Sequence, residues 1–237
     1  MTLGIMQPYF MPYLGYFALI KHVDQFILFD TPQFIRHGWI ERNKVLKPNG
    51  ETLYLKVPLQ KHSRDTPINE VVIKNEENWK SKIMAQLVPY KKKAPHNRAV
   101  TALLNDIFDI ETNSIVTLNF IALQKICTYL DIQTPIMVWS KMDVEIESVN
   151  APDEWALNIC KAMGADSYYN PPGGKEFFDA NKYMAAGVDL NFLEIKQTPY
   201  KQFNNEFVPY LSIIDVLMFN DQESVTQMLE QIRITND

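Results

Sequence analysis

Two short apolar segments near the start of the chain constrain its fold more than any other feature. Residues 3–7 end at a proline and residues 25–29 end at an aspartate, as buried strands commonly do. Between them, the apolar residues at positions 14, 17, 19, 20 and 23 share one helical face. The order strand, helix, strand predicts a βαβ unit with parallel strands and a right-handed crossover.

The later part of the chain repeats this alternation of strand and helix. Residues 135–139, 166–169 and 189–194 have strand patterns, and residues 154–163 and 175–186 have helical patterns. Residues 210–219 and 223–232 are predicted to be closing helices. Such alternation predicts an α/β fold with a Rossmann-like, mainly parallel sheet and helices on both faces. We expect residues 1–237 to form a single domain.

Two segments interrupt the alternation. Residues 30–75 contain prolines, glycines and short β-prone stretches, and Asn49-Gly50 is typical of a hairpin turn. They predict a small β-rich insertion after the second strand. Residues 76–130 are predicted to be helical, with Trp79, Ile83 and Leu87 at four-residue spacing.

Composition excludes several classes of protein. The formal charge of −5 argues against a nucleic-acid partner, which normally requires a basic face. No apolar run approaches the length needed to span a bilayer, and the first ten residues lack a cationic segment before an apolar one. We therefore expect a cytoplasmic protein, with Cys127 and Cys160 as buried thiols. The sequence leaves homo-oligomer formation open.

The loop after the first predicted strand is the densest group of candidate ligand-binding residues. It contains Gln7, Tyr9, Tyr13 and Gly15, together with two prolines. Ligands of α/β sheets bind at the carboxyl ends of the strands, where this loop begins. We expect these four residues to bind a substrate, although the aromatic rings could instead plug the top of the sheet.

A second group follows the next predicted strand. It consists of Asp30, Gln33, His37, Trp39, Arg42 and Asn43. Arg42 offers a planar fork suited to phosphate or carboxylate, and Asp30 is a candidate general base, so these two are the predicted catalytic residues. The alternative is that they form a structural ion pair. Gln33, His37, Trp39 and Asn43 are predicted to bind substrate.

Three further candidates lie in the second half of the chain. Lys175 follows a Pro-Pro-Gly-Gly turn between a strand and a helix, where it could contact phosphate or simply lie in an ordinary connection. Tyr200 and Gln202 precede the closing helices and are predicted to bind substrate. The four histidines lack metal-ligand spacing, so no metal site is predicted, and the sequence names no cofactor.

These residues resemble the WbqC-like protein family. The resemblance rests on Gln7-Pro-Tyr, Pro12-Tyr-Leu-Gly-Tyr-Phe, Asp24, Asp30, Gln33, Trp39 and Arg42-Asn43 near the start, and on Pro199-Tyr-x-Gln and Phe207-x-Pro-x-Leu-Ser-x-x-Asp215 near the end. Members of the family are associated with bacterial surface-polysaccharide gene clusters. The resemblance implies a small-molecule transferase that attaches an acyl or aminoacyl group to an amino sugar or a sugar nucleotide.

Two alternatives remain open at this point. One is a non-catalytic ligand-binding or scaffold protein of polysaccharide assembly, because no recognised triad, metal set or phosphate-binding loop is present. The other is a nucleotidyltransferase-like enzyme, which the strand–loop–helix layout resembles. The two histidines of that motif are missing here, since the corresponding residues are Tyr13-Leu14-Gly15-Tyr16. The sequence does not decide whether the protein is an enzyme.

Overall fold

A computed structural model describes residues 1–203 and 206–236 of the chain, and a six-stranded sheet forms the centre. The strands are β1 (Thr2–Met6), β2 (Gln25–Leu28), β3 (Arg42–Leu46), β4 (Thr52–Lys56), β5 (Ile136–Val138), β6 (Ser167–Asn170), β7 (Asp189–Ile195) and β8 (Ile232–Thr235). The central sheet has the order β5-β2-β1-β6-β7-β8. All its neighbours pair in parallel except β7 and β8, which are antiparallel.

Helices cover both faces of this sheet. They are α1 (Leu14–Lys21), α2 (Trp79–Gln86), α3 (Asn97–Phe108), α4 (Ile115–Tyr129), α5 (Glu154–Met163), α6 (Ala180–Ala185), α7 (Ile213–Phe219) and α8 (Gln222–Leu229). Alternate residues of β2 belong to different cores: Phe26 packs with α1, α3, α4, α7 and α8, whereas Ile27 packs with α5 and α6. Burial on both faces explains the continuous apolar runs of the strands. The predicted α/β, Rossmann-like fold is confirmed.

The chain between β2 and β5 adds a hairpin and three helices. Strands β3 and β4 form a separate antiparallel pair, in which Arg42 lies opposite Lys56 and Lys44 lies opposite Tyr54. Gly50 makes the turn with a φ of 87°, which glycine adopts without strain. Helices α2, α3 and α4 pack into the same apolar cluster as one face of the sheet.

The end of the chain differs from the prediction of a helix over residues 223–232. Helix α8 ends at Leu229, and β8 (Ile232–Thr235) pairs with β7 at the edge of the sheet. The predicted helix over residues 175–186 is also shorter: a 3₁₀ turn precedes Asp179, whose side chain caps α6 by accepting from the Asn181 N–H. Both cysteines are buried thiols, as expected. Within the described ranges, no helix is long and apolar enough to cross a membrane.

Candidate functional site

A pocket of about 690 Å³ opens at the carboxyl edge of the sheet, where β1 and β6 end. The strand order changes direction between these neighbours, because the chain leaves β1 toward β2 and later places β6 on the other side. Loops that diverge at such a switch point leave a crevice, which is the usual ligand site of open α/β sheets. The volume suits a small molecule.

The two sides of the pocket come from distant parts of the sequence. The first 45 residues contribute Gln7, Tyr9, Tyr13, Phe29, Trp39 and Asn43. The second half of the chain contributes Trp155, Tyr168, Asn170, Phe177, Phe178 and Tyr210. The pocket is therefore mainly aromatic, with a few amide and hydroxyl groups between the rings.

Buried amides hold the loop after β1, residues 7–13, in one shape. The Asn119 side chain on α4 donates to the Pro8 carbonyl oxygen at 2.7 Å. The Asn43 side chain on β3 donates to the Phe10 carbonyl oxygen at 3.1 Å. Bonds of this kind satisfy carbonyl groups that would otherwise be buried without partners, so the loop is fixed by the core behind it.

The start of α7 binds the same loop from another direction. The Ser212 hydroxyl donates to the Met11 carbonyl oxygen at 2.7 Å, and the Ile213 backbone N–H donates to the Pro12 carbonyl oxygen at 2.8 Å. The same Ser212 oxygen accepts from the Ile214 N–H and caps α7. The C-terminal part of the chain thus positions a loop formed at its beginning.

Three tyrosines share one part of the lining. The rings of Tyr13 and Tyr210 are 6.2 Å apart in an edge-to-face arrangement. Burial raises the pKa of Tyr13 to about 12, with smaller contributions from Tyr9 and Tyr210, and burial also raises the pKa of Tyr9. At neutral pH the Tyr9 and Tyr13 hydroxyls stay protonated, so they can exchange hydrogen bonds with a ligand but cannot act as bases.

Backbone strain also concentrates around the pocket. Four non-glycine residues in the described ranges have a positive φ: Met11, His37, Asp131 and Tyr210. Met11 lies in the loop after β1, Tyr210 lines the pocket, and His37 is two residues before the lining Trp39. Each such residue costs on the order of 1–3 kcal/mol, and strain of this kind is common in ligand sites.

Five of the predicted substrate-binding residues line the pocket: Gln7, Tyr9, Tyr13, Trp39 and Asn43. The Gln7 side-chain amide makes no hydrogen bond with any residue that the structure describes, which leaves its donors and acceptor available to a ligand.

Two other predicted residues lie next to lining residues. Gly15 lies behind Tyr13, and a Cβ there would fall 2.4 Å from Tyr13 Cε2. Lys175 is exposed and follows the lining residues Gly173 and Gly174.

Gln33 and His37 lie outside the lining. The Gln33 amide donates to the Arg64 carbonyl oxygen at 2.7 Å, and the Gln33 backbone bridges to Pro67. The His37 carbonyl oxygen accepts a hydrogen bond from Arg42. The part of the loop after β2 that carries Gln33 therefore packs against residues 62–67, whereas Phe29, Pro32 and Trp39 of the same loop line the pocket.

The predicted catalytic residues, Asp30 and Arg42, also lie outside the lining, and no ion pair joins them. Asp30 is fully buried, and its carboxylate accepts from the Ser140 N–H at 2.9 Å and the Ser140 hydroxyl at 2.6 Å. Arg42 donates to the His37 and Gly38 carbonyl oxygens and lies over the Tyr54 ring. The alternative of a structural ion pair between them is therefore wrong, and their catalytic roles stay predictions.

Tyr200 and Gln202 contact the buried carboxylate of Asp215 instead of the pocket. The Tyr200 hydroxyl donates to it at 2.7 Å, the Gln202 amide donates at 3.4 Å, and the Tyr90 hydroxyl is a third donor. Burial raises the pKa of Asp215, and these hydrogen bonds oppose that effect. The Leu46 N–H is also in reach of this carboxylate, so the network connects α7 to β3.

Sequence reasoning reached the second side of the pocket only at the Pro-Pro-Gly-Gly turn before Lys175, and it missed the aromatic residues of that side and the residues behind the loop. Trp155, Phe177 and Tyr210 line the pocket through tertiary neighbours, such as the pairing of β6 with β1 and the contact of Tyr210 with Tyr13, which no local pattern indicates. Asn119 did leave a signal, since it is a polar residue on the apolar face of α4.

The pocket lining carries no charge. In the part of the chain that the structure describes, no aspartate, glutamate, lysine, arginine or histidine lines it. No three His, Cys, Asp or Glu side chains among residues 1–203 and 206–236 come close enough to hold a metal ion. Aromatic faces with a few amides and hydroxyls suit a neutral ring that carries hydrogen-bonding groups.

The fold and the pocket together define an α/β protein with a Rossmann-like sheet and a crevice at its switch point. The model of the WbqC-like protein family matches residues 7–227, and the chain belongs to this family. It is 28% identical over 220 residues to the uncharacterized protein Rv1507c of Mycobacterium tuberculosis, which covers 92% of each chain. No solved structure matches the chain.

Proposed function

We propose that the protein is a transferase of bacterial surface-polysaccharide synthesis that binds an amino sugar or a sugar nucleotide and attaches an acyl or aminoacyl group to it. The uncharged aromatic pocket at the switch point carries this proposal. Membership of the WbqC-like family supports the polysaccharide role. In the proposed complex the sugar ring occupies the pocket.

The lining residues suit a sugar ring in two ways. Rings such as those of Trp39, Trp155 and Phe177 can pack against its apolar C–H faces. The free amide of Gln7 and the hydroxyls of Tyr9 and Tyr13 can bind its hydroxyl or amide groups. A site built to pair such groups rejects analogues that lack them, because its own polar atoms would stay unpaired.

The proposed reaction joins the sugar amine to an activated acyl group such as a thioester. The amine nitrogen attacks the acyl carbonyl carbon, a C–N bond forms, the bond to the leaving thiolate breaks, and the nitrogen loses one proton. Asp30 and Arg42 lie outside the lining, so their predicted roles, as acceptor of that proton and as partner of anionic groups, are the part of this proposal that the pocket does not support. Unchanged turnover in Asp30→Ala or Arg42→Ala would remove these roles.

Two glutamines provide a matched test of the pocket. Gln7 lines it with a free amide, whereas the Gln33 amide is bound to the Arg64 carbonyl outside it. A ligand at ~100 times its dissociation constant should stabilise the protein by about 2.7 kcal/mol in a thermal-shift assay with amino sugars and sugar nucleotides. Gln7→Ala should lose this stabilisation and Gln33→Ala should keep it. Absence of stabilisation by every sugar would contradict the proposal.

The uncharged lining also favours a second candidate, a non-catalytic ligand-binding protein of polysaccharide assembly. A pocket without an acid or base can hold a sugar without transforming it. Mass spectrometry of the sugar after incubation with protein and acyl or aminoacyl thioesters separates the two candidates. An acylated sugar supports the transferase, and tight binding without product supports the binding protein.

A further inference from the structure

The outer face of the β3–β4 hairpin presents two cations against two aromatic rings. Arg42 Cζ lies 4.3 Å from the centre of the Tyr54 ring, and Lys44 Nζ lies 5.4 Å from the same centre. Lys44 Nζ also lies 5.7 Å from the centre of the Trp39 ring. Arg42, Lys44, Trp39 and Tyr54 are called the hairpin cation face below.

Neither cation of this face is matched by an acid. No carboxylate in the described ranges lies within 4.0 Å of Arg42 or Lys44. Other lysines of the hairpin do interact with acids. Lys47 forms an ion pair with Glu51. The pKa of Glu77 is lowered mainly by Lys74, and Lys56 makes a smaller contribution. The charge of the hairpin cation face is therefore available to an external anion.

The side chains of this face are already held in position. Arg42 donates to the His37 and Gly38 carbonyl oxygens, which fixes its guanidinium group over Tyr54 and leaves its other N–H groups without described partners. Lys44 is half-buried between its two rings. Cations fixed before binding lose little side-chain entropy when they bind an anion.

Trp39 joins this face to the pocket. It lines the pocket and its ring lies 5.7 Å from Lys44 Nζ, and Asn43, between the two cations in sequence, also lines the pocket. The lining offers no charged side chain among the described residues, so an anionic group attached to a bound ring has no cationic partner inside the pocket. Trp39 therefore connects the hairpin cation face to the pocket lining.

We propose that Arg42 and Lys44 bind the anionic group, a phosphate or a carboxylate, of the sugar whose ring occupies the pocket. The ring part of this proposal rests on the proposed function, whereas the anion site stands on the hairpin alone. With this anion site, the preferred ligand is a charged sugar, such as a sugar phosphate, a sugar nucleotide or a uronic acid. Lys44 is then a specificity-determining residue.

The test compares ligands that differ in charge. Calorimetric titration of wild-type protein uses N-acetylglucosamine, its 1-phosphate, glucuronic acid, uridine-diphosphate N-acetylglucosamine and inorganic pyrophosphate. A charge-assisted contact should make an anionic ligand bind about tenfold or more tightly than the neutral sugar, and added salt should reduce the difference. Preference for the phosphate or for the uronic acid identifies the anion.

Substitutions of two lysines in the same hairpin provide a test variant and a control variant for this titration. Lys44→Gln should remove the preference for anions and leave the affinity for N-acetylglucosamine unchanged. Lys47→Gln, which removes a cation already paired with Glu51, should behave as wild type. Circular dichroism checks that both variants fold.

The outcomes separate this proposal from the proposed function. Binding of the neutral sugar without any preference for anions, or an equal preference in wild type and Lys44→Gln, overturns the anion site and leaves the proposed function standing. Pyrophosphate binding that Lys44→Gln abolishes, with no binding of the neutral sugar, supports the anion site and contradicts the sugar pocket. Absence of all binding overturns both.

Discussion

Gly15 shapes the pocket by lacking a side chain. A Cβ at this position would lie 2.4 Å from Tyr13 Cε2, so Gly15→Ala must displace the Tyr13 ring from its place in the lining. We expect the variant to lose about 1–3 kcal/mol of unfolding free energy, as overpacked sites do, and to bind the ligand more weakly. Urea unfolding and ligand titration measure the two effects.

Gly173→Ala is the matched control for this substitution. Gly173 also lines the pocket, but an added Cβ would meet no atom within 4 Å. If Gly15→Ala kept wild-type stability and affinity, Tyr13 would be free to move, and its fixed position could not be part of ligand recognition.

The raised pKa of Tyr13 predicts a loss of stability in alkaline solution. The pKa rises from 10.0 to about 12 on folding, so the folded state favours the neutral phenol. Its contribution is fully present below pH 10 and is lost as the pH rises toward 12, at about 1.4 kcal/mol for each unit of the pKa difference. Between these pH values, Tyr13→Phe should lose less unfolding free energy than wild type. Equal losses of unfolding free energy in the two proteins would show that Tyr13 ionises as readily in the folded state as in the unfolded state.

The lining residues that follow β1 were predictable, and those that follow β2 were predictable only in part, at Trp39 and Asn43. Gln7, Tyr9 and Tyr13 line the pocket because a loop after the central strand must lie at the switch point. Asp30 and Gln33 were expected there by the same argument, but Asp30 is bound to Ser140 and Gln33 to the Arg64 carbonyl, and residues from β6 onward form the other side of the crevice. Sequence alone gives the strands but not their order in the sheet.

At the scale of elements, the start of α7 supports the loop after β1. Ser212→Ala removes both the cap of α7 and the hydrogen bond to the Met11 carbonyl, and should cost about 1–2 kcal/mol of unfolding free energy. Because the loop carries Tyr9 and Tyr13, ligand affinity should fall as well. Chemical denaturation and ligand titration check both results.

Asp221→Ala provides the comparison, because Asp221 caps α8 by accepting from the Ser224 N–H at a distance of 2.8 Å. Its loss should cost about 1 kcal/mol of stability without changing ligand affinity, since α8 does not line the pocket. Equal loss of affinity in the two variants would mean that general destabilisation, and not the Met11 contact, weakens binding.

The elements that local patterns predicted well are those whose neighbours are close in sequence. The unit β1-α1-β2 and helix α5 (Glu154–Met163) follow directly from periodicity. The helix predicted over residues 223–232 is too long at its end, because α8 stops at Leu229 and β8 (Ile232–Thr235) forms by pairing with β7, which is a tertiary interaction. The hydrogen bonds of Asn119 were not predictable from local patterns either, because its partners Pro8 and Ile40 are far away in sequence.

The whole molecule should unfold as one unit, although residues 76–130 form a distinct helical segment. Trp79 of α2, Leu104 of α3 and Leu118 of α4 belong to the same apolar cluster as Phe26 and Leu28 of the sheet. A segment whose apolar face is completed by the sheet cannot keep its packing when the sheet unfolds. Circular dichroism and tryptophan fluorescence should therefore give coincident urea transitions.

Hydrogen exchange at rising denaturant concentration tests this expectation element by element. The most protected amides of α4 and of β1 should open with the same free energy and the same denaturant dependence, because both require global unfolding. Ser212→Ala should lower the two opening free energies together, since the bond it removes stabilises the native state as a whole. If α4 opened at a higher free energy than β1, the helical segment would be an independent folding unit, and the loop after β1 would depend on Asn119 presented by a preformed helix.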